Sequence, residues 1–277
     1  MRQRILISIA SMMAIGLLAL AGTPAQAQES ILDKVLARGH LIVGVTSEAP
    51  PFGFIDNKAN HVGFDLDIAK LLSKQIFDDE RDVKFVKQGF AARWANAQSG
   101  KIDVGIQITT IWPQRALKVA FTRPYIDSGV VLLVSKGSPI KRTADLNNEK
   151  YTVANLTSVK MGVRADKYFP KAKRLVFDGM SAQINAVKVG RAHAAQLDLP
   201  QALWLVNKFP DDYAVTETVM EDPNHLGLFT RPGDFKWWLV LDTIVAEWKG
   251  GGGYSEYAKV YKKWFGIMPK HAKYHYK

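Results

Sequence analysis

Two stretches of this chain repeat one another, and the repeat restricts it to architectures made of two like units. Residues Gly89 to Asp103 lie over Gly179 to His193 without a gap. Gly89 matches Gly179, Gly100 matches Gly190, Ala92 matches Ala182, the apolar Phe90 matches Met180, and the basic Lys101 matches Arg191. Each copy reads as a helix, a Gly-basic turn and a strand, Ile102–Ile108 in one and Ala192–Leu197 in the other. Chance similarity between two β-α-β units is the competing explanation. Upstream, Leu41–Val45 reads as a strand ended by the loop that carries Pro50 and Pro51. Asp65 can then cap a helix with Ile68, Leu72 and Ile76 on one face, followed by a strand from Val83 to Val86 and a helix from Phe90 to Gln98. That order predicts an α/β fold with open, mainly parallel sheets, in which ligands bind beyond the carboxyl ends of the strands.

The first repeat runs into the most informative local pattern. Ile102, Val104, Ile106 and Ile108 alternate with smaller or polar residues, and Trp112-Pro113 then opens a helix, because proline suits a first turn. Arg115 falls in that first turn, where the positive end of the helix dipole disfavours a cation. A ligand carboxylate bound there would explain it, since the free N–H groups of residues 109–113, the Thr110 hydroxyl and the Arg115 fork would all point at one charge. The alternative is an arginine on a solvent-facing helix. In the second copy the strand ends at Asp198, just before Leu199-Pro200 opens another helix, so Asp198 occupies the place of the Thr110 region. Its alternative role is an N-cap.

The ends of the chain say where it works. Arg2 and Arg4, an apolar run from Ile5 to Gly22 and an A-x-A pattern ending at Ala27 predict a secretory leader cleaved after Ala27. The expected compartment is a bacterial periplasm. There is no cysteine, which excludes disulfides, thiolate metal sites and thiol nucleophiles. The roughly 250 remaining residues suffice for one large core or two modest ones. The formal charge of +11 is scattered without a nucleic-acid-binding motif, so no nucleic-acid partner is expected. Near the carboxyl end, Leu226–Thr230 reads as a strand, Asp234 as the cap of a helix with Trp238, Leu241, Val245 and Trp248 in the core, and Gly250 to Gly253 as its stop. His271 and His275 have a metal-chelating spacing but no third ligand, and no metal is expected.

Taken in order, Gly39 to Gly44, Pro50 to Phe52, Gly63 to Asp67, Gln98 to Asp103, Thr110 to Arg115, Phe121 to Tyr125, Gly190-Arg191 with Asp198, and Tyr261 to Gly266 resemble the periplasmic amino-acid-binding proteins of ABC importers. The resemblance covers essentially all of the chain after the leader. It implies the two-lobed type II periplasmic-binding-protein fold, each lobe an open, mainly parallel sheet flanked by helices, with the ligand cleft between lobes. Lobe 1 would comprise residues 28–126 and 222–277, and lobe 2 residues 127–221. By the same resemblance Arg115 and Thr110 hold the ligand α-carboxylate, Asp198 receives the α-ammonium, Ile108 offers its backbone carbonyl, and Thr157 and Ser158 touch the carboxylate from lobe 2. Phe52, in the Pro50-Pro51-Phe52 loop, joins the ligand contacts. Arg93 stands where acidic-amino-acid binders carry an arginine for the ligand side chain; a surface position is its alternative. Several positions depart from the pattern: Ala49 where an aromatic is usual, Thr46 for an aspartate or arginine, Trp112 for a threonine, Leu156 for a glycine and His193 for an aspartate.

The expected function is therefore that of an extracytoplasmic binding protein. It would take an amino acid, with a mild preference for acidic or polar ones, and deliver it as a monomer to an inner-membrane ABC permease, without cofactor or catalysis. Hinge closure would follow because only a zwitterion bridges Arg115 and Asp198. Two other readings remain open on the sequence. One is an accessory or sensor protein on the same fold. The other is a cleft enzyme resembling a cyclohexadienyl dehydratase, with Glu48 as general acid.

Overall fold

The computed structural model describes residues 29–79, 83–217, 220 and 224–269. The leader read over residues 1–27 and the His271 and His275 pair lie outside the described residues. In chain order the strands are β1 (Leu41–Val45), β2 (Glu48–Ala49), β3 (Gly53–Ile55), β4 (His61–Val62), β5 (Val83–Lys87), β6 (Val104–Gly105), β7 (Ala120–Ile126), β8 (Val130–Ser135), β9 (Thr152–Leu156), β10 (Lys173–Phe177), β11 (Ala194–Asp198), β12 (Tyr213–Val215) and β13 (Leu226–Thr230). They form two five-stranded sheets, ordered β5-β1-β6-β13-β7 and β10-β9-β11-β8-β12, and a small sheet β2-β3-β4.

In the first large sheet β5, β1 and β6 pair in parallel, and β13 runs against both β6 and β7. The second repeats this plan: β10, β9 and β11 are parallel, and β8 runs against β11 and β12. Four strands of each sheet thus share a direction and one opposes them, as expected of a two-lobed, mainly parallel α/β fold. The sequence repeat is this shared topology. Its two helices, Arg93–Gln98 and Met180–Lys188, are followed by Gly100 and Gly190 with φ of 74° and 72°, a left-handed turn that glycine enters without a Cβ penalty.

Three local expectations are corrected. Asp65 does not cap its helix. The helix Phe64–Phe77 has Gly63 as N-cap, at φ 152°, where an added Cβ would stand 2.1 Å from the Phe52 carbonyl oxygen. Asp65 is instead turned inward and wholly buried. The helix expected from Phe90 begins at Arg93, since residues 90–92 are spent on a turn. The stretch Ile102–Ile108 has a ladder of only two residues and is buried on both faces, Asp103 and Gln107 included, because a central strand lies between layers on both sides of its sheet.

The helix Phe235–Gly250 is capped as expected, the Asp234 carboxylate accepting from the Trp237 N–H at 3.0 Å. Its buried stripe is Trp237, Leu241, Val245 and Trp248; Trp238 is only half-buried and donates its indole N–H to the Phe121 carbonyl at 2.7 Å. The core beside it is aromatic. Phe64 stacks on Tyr125 with centroids 6.0 Å apart and meets Phe265 at 5.1 Å; Trp248 stacks on Tyr257 at 6.1 Å. Such pairs add to the burial of their large apolar area. Among the described residues no helix is long and apolar enough to cross a membrane.

Candidate functional site

A cleft of about 530 Å³ is bounded by Ile108 and Thr110, just beyond β6, by Leu156 at the end of β9 and by Asp198 at the end of β11. Parallel strands that stop together leave a crevice at their carboxyl ends, and here both large sheets contribute to it. Arg93, Arg115, Thr157 and Ser158 complete the set, so seven of the eight residues singled out in the sequence line one cavity. Phe52 does not. It is fully buried, packed against Phe64 at 6.0 Å and Phe265 at 5.8 Å, because the turn after Pro51 folds it under the helix that starts at Phe64.

Arg115 sits in the short helix Pro113–Ala116 and donates from Nη1 to the Thr110 carbonyl at 3.0 Å. Its guanidinium lies 5.9 Å from the centre of the Trp94 ring. Burial lowers its pKa, Asp198 raises it in part and Arg164 lowers it again. Arg93 also meets that ring, 4.3 Å from its centre. It is only 6% exposed, so the surface alternative does not hold. Its Nη1 donates to the Thr109 hydroxyl at 3.2 Å, and its Nε has no hydrogen-bond partner among the described residues. Burial holds its pKa well below the usual range, with nearby Arg115 acting in the same direction. A buried cation with so little compensation is costly to the empty protein.

Asp198 ends β11 and is the N-cap of the helix Leu199–Lys208, yet its side chain makes no capping bond. It accepts from the Asn224 amide instead. Burial raises its pKa to about 6, against the pull of the Asn224 bond and of Arg164, Lys160 and Arg115. Thr157 donates from its hydroxyl to Asp178 at 2.7 Å. Ser158 is the N-cap of the helix Val159–Tyr168, with no side-chain capping bond. The aromatic wall usual at position 49 is absent, since Ala49 is buried elsewhere; Phe90, Trp94 and Trp112 border the cleft.

Arg164, Lys160, Asn224 and Gln196 also line the cleft, and the sequence reading missed them. Arg164 is 5% exposed and approaches the Gln196 amide oxygen at 3.5 Å; Lys160 lies 5.9 Å from the Trp112 ring centre. A signal existed for one of the cations: Lys160 stands in the first turn of the helix Val159–Tyr168, the same offence against the dipole that drew attention to Arg115. Nothing local marks Asn224. Glu48, the proposed general acid, lies outside the cleft. Arg93, Arg115, Lys118, Lys160 and Arg164 thus border the cavity against Asp178 and Asp198, an arrangement suited to a ligand with more negative than positive groups. A second hollow, lined by Ile111, Val119, Phe121, Phe235 and Trp238, has Asp234 as its one acidic group, already engaged as a helix cap.

The profile of bacterial extracellular solute-binding proteins, family 3, matches residues 41–267. The L-cystine-binding protein TcyJ of Escherichia coli K12 is 30% identical over 261 residues, covering 94% of this chain and 95% of that protein. The glutamine-binding protein of Geobacillus stearothermophilus is 32% identical over 207 residues, 74% of this chain and 78% of that one. The crystal structure of the ancestral amino acid-binding protein AncCDT-1, a precursor of cyclohexadienyl dehydratase, superposes with a TM-score of 0.75 at 31% identity, over 85% of this chain and all of that one.

Proposed function

This chain belongs to the bacterial extracellular solute-binding proteins of family 3, and from that premise we propose that it captures a free amino acid, preferring an acidic or polar one, for an ABC importer. The observation that supports the reading is that Arg115 and Asp198 line one cleft, each within electrostatic reach of the other. An α-carboxylate on Arg115, Thr110 and the turn at Thr157 and Ser158, with the α-ammonium on Asp198 and the Ile108 carbonyl, satisfies both charges at once. The lobes are residues 28–126 with 222–277, and residues 127–221. Closing them on a zwitterion makes the bound form distinct for the permease. The leader is removed after Ala27, and the protein works in the periplasm as a monomer. Its role is binding rather than turnover, which fits its binding-protein relatives and the position of Glu48 outside the cleft.

The preference for an acidic ligand rests on Arg93, whose Nε has no hydrogen-bond partner among the described residues. A side-chain carboxylate would supply the missing anion. Arg93→Ala is expected to weaken glutamate binding about tenfold or more while changing glutamine binding only a few-fold. Calorimetry with both ligands reads this, and an unchanged glutamate affinity removes Arg93 from the role. Mass spectrometry of small molecules released on denaturing the purified protein identifies the natural ligand; a non-amine would sink the amino-acid assignment.

Asp198 adds a pH dependence. Only its ionised form can pair with an ammonium, and burial raises its pKa in the empty cleft to about 6. The Asp198 contribution to affinity should therefore be level above about pH 7 and fall as pH drops through 6, by up to about tenfold per unit. Near pH 6 binding should release protons, seen as a binding heat that varies with buffer ionisation enthalpy. A profile level from pH 5 to 8 would mean that Asp198 does not meet the ammonium.

A further inference from the structure

Asp65 is the buried acid that the ligand scheme leaves unused. It lies in the first turn of the helix Phe64–Phe77, 0% exposed, and both of its oxygens are engaged. Oδ2 accepts from the Ile108 backbone N–H at 3.0 Å, and Oδ1 accepts from the Tyr125 hydroxyl at 2.7 Å. Ile108 borders the cleft and has φ 37°. A β-branched side chain avoids that left-handed region, and such a residue persists there only when its surroundings hold it. The segment it introduces carries both arginine contacts on this side of the cleft, because Thr109 accepts from Arg93 and the Thr110 carbonyl from Arg115.

We propose that Asp65 is a positioning residue for the ligand: its carboxylate pins the Ile108 N–H, holds the strained turn that aims residues 108–110 into the cleft, and strengthens ligand binding when it ionises. The inference rests on the reading of this cleft as the ligand site. The ionised acid offers two acceptors to two donors, Ile108 N–H and Tyr125 O–H. Its protonated form carries a hydrogen on an oxygen that is already accepting one, and the neutral acid is the weaker acceptor, so the grip on the turn loosens. Around it the polar groups are those of Tyr125 and Ile108. Behind them, the Tyr125 carbonyl accepts from the Tyr257 hydroxyl at 2.6 Å, and Asp198 acts on Tyr125 through its charge. Burial pushes the Asp65 pKa up to about 7, against the two hydrogen bonds that lower it. Affinity thus gains a second inflection near neutrality, above that of Asp198.

The test combines amino-acid calorimetry from pH 5 to 8.5 with a pH titration of the Ile108 amide resonance in the ligand-free protein, for the parent, Asp65→Asn and Tyr125→Phe. In the parent the Ile108 amide should titrate near pH 7. Asp65→Asn keeps an acceptor for the fold but should abolish that titration, weaken binding about tenfold and erase the inflection near 7 while retaining the one near 6. Should this variant fail to fold, Tyr125→Phe decides: without the phenol donor the charged acid is less stabilised, and the inflection must move to higher pH. An Asp65→Asn protein that binds like the parent across the range, or an inflection unmoved in Tyr125→Phe, overturns the proposal while leaving the amino-acid function standing. A parent that binds no amino acid but whose Ile108 amide titrates through Asp65 has the opposite meaning: the pinning holds and the proposed ligand class falls.

Discussion

Arg115→Ala should weaken amino-acid binding at least about a hundredfold, a loss of roughly 3 kcal/mol or more. The guanidinium is partly desolvated, spans Thr110 and Trp94, and is the cation nearest the short helix that would receive a carboxylate. Removing it leaves that carboxylate in a cleft with fewer donors and frees the Thr110 carbonyl as well. Arg115→Lys keeps the charge without the planar fork and should fall between the two. Pairing Arg115→Ala with Asp198→Asn in a double-mutant cycle measures whether one ligand links them. Each single change should remove most of the affinity, so that the double loses far less than their sum. Binding that survives Arg115→Ala with calorimetric affinity intact would remove the carboxylate anchor from the account.

Trp237→Ala should have the largest effect on stability, about 3–5 kcal/mol. Its ring is fully buried, and its indole N–H donates to the Asp103 carbonyl at 2.9 Å. The change empties the space between the helix Phe235–Gly250 and the strand that leads to the cleft. Trp238→Ala, on a half-buried ring, should cost about 1–2 kcal/mol. Urea unfolding followed by fluorescence separates them as a shift of midpoint with little change in slope. Equal shifts would mean that the two rings share the load.

The two adjacent tryptophans mark how far the sequence could be read. The spacing Leu241, Val245, Trp248 defines a helical face, but it extends upstream to either residue, since 237 and 238 differ by only a hundred degrees around the axis. Packing against the sheet chooses 237. The doubled architecture was readable because glycines recur where the backbone must turn left-handed, at Gly100 and Gly190. Arg115 stood out because it breaks a local rule of charge, Asp198 because it ends the repeated strand in the place of the Thr110 region, and Arg93 through the family resemblance. Phe52 and Asp65 were misplaced for one reason. The turn after Pro51 and the start of the next helix are packed together, so closely that a Cβ at Gly63 would meet the Phe52 carbonyl, and a contact between segments over ten residues apart leaves no local periodicity. Asn224 reaches Asp198 from a distant loop and was invisible for the same reason.

The order of strands also sets an order of assembly. Sheet β10-β9-β11-β8-β12 is made wholly from residues 130–215, whereas β5-β1-β6-β13-β7 has a strand from residues 226–230 wedged between β6 and β7. Until that late segment arrives, the earlier strands have a gap where Phe229 must pair with both Gly105 and Phe121, and long-range pairing of this kind is slow to nucleate. The sheet from residues 130–215 can therefore complete its strand pairing without the carboxyl-terminal segment, whereas the other cannot close until residues 226–230 arrive.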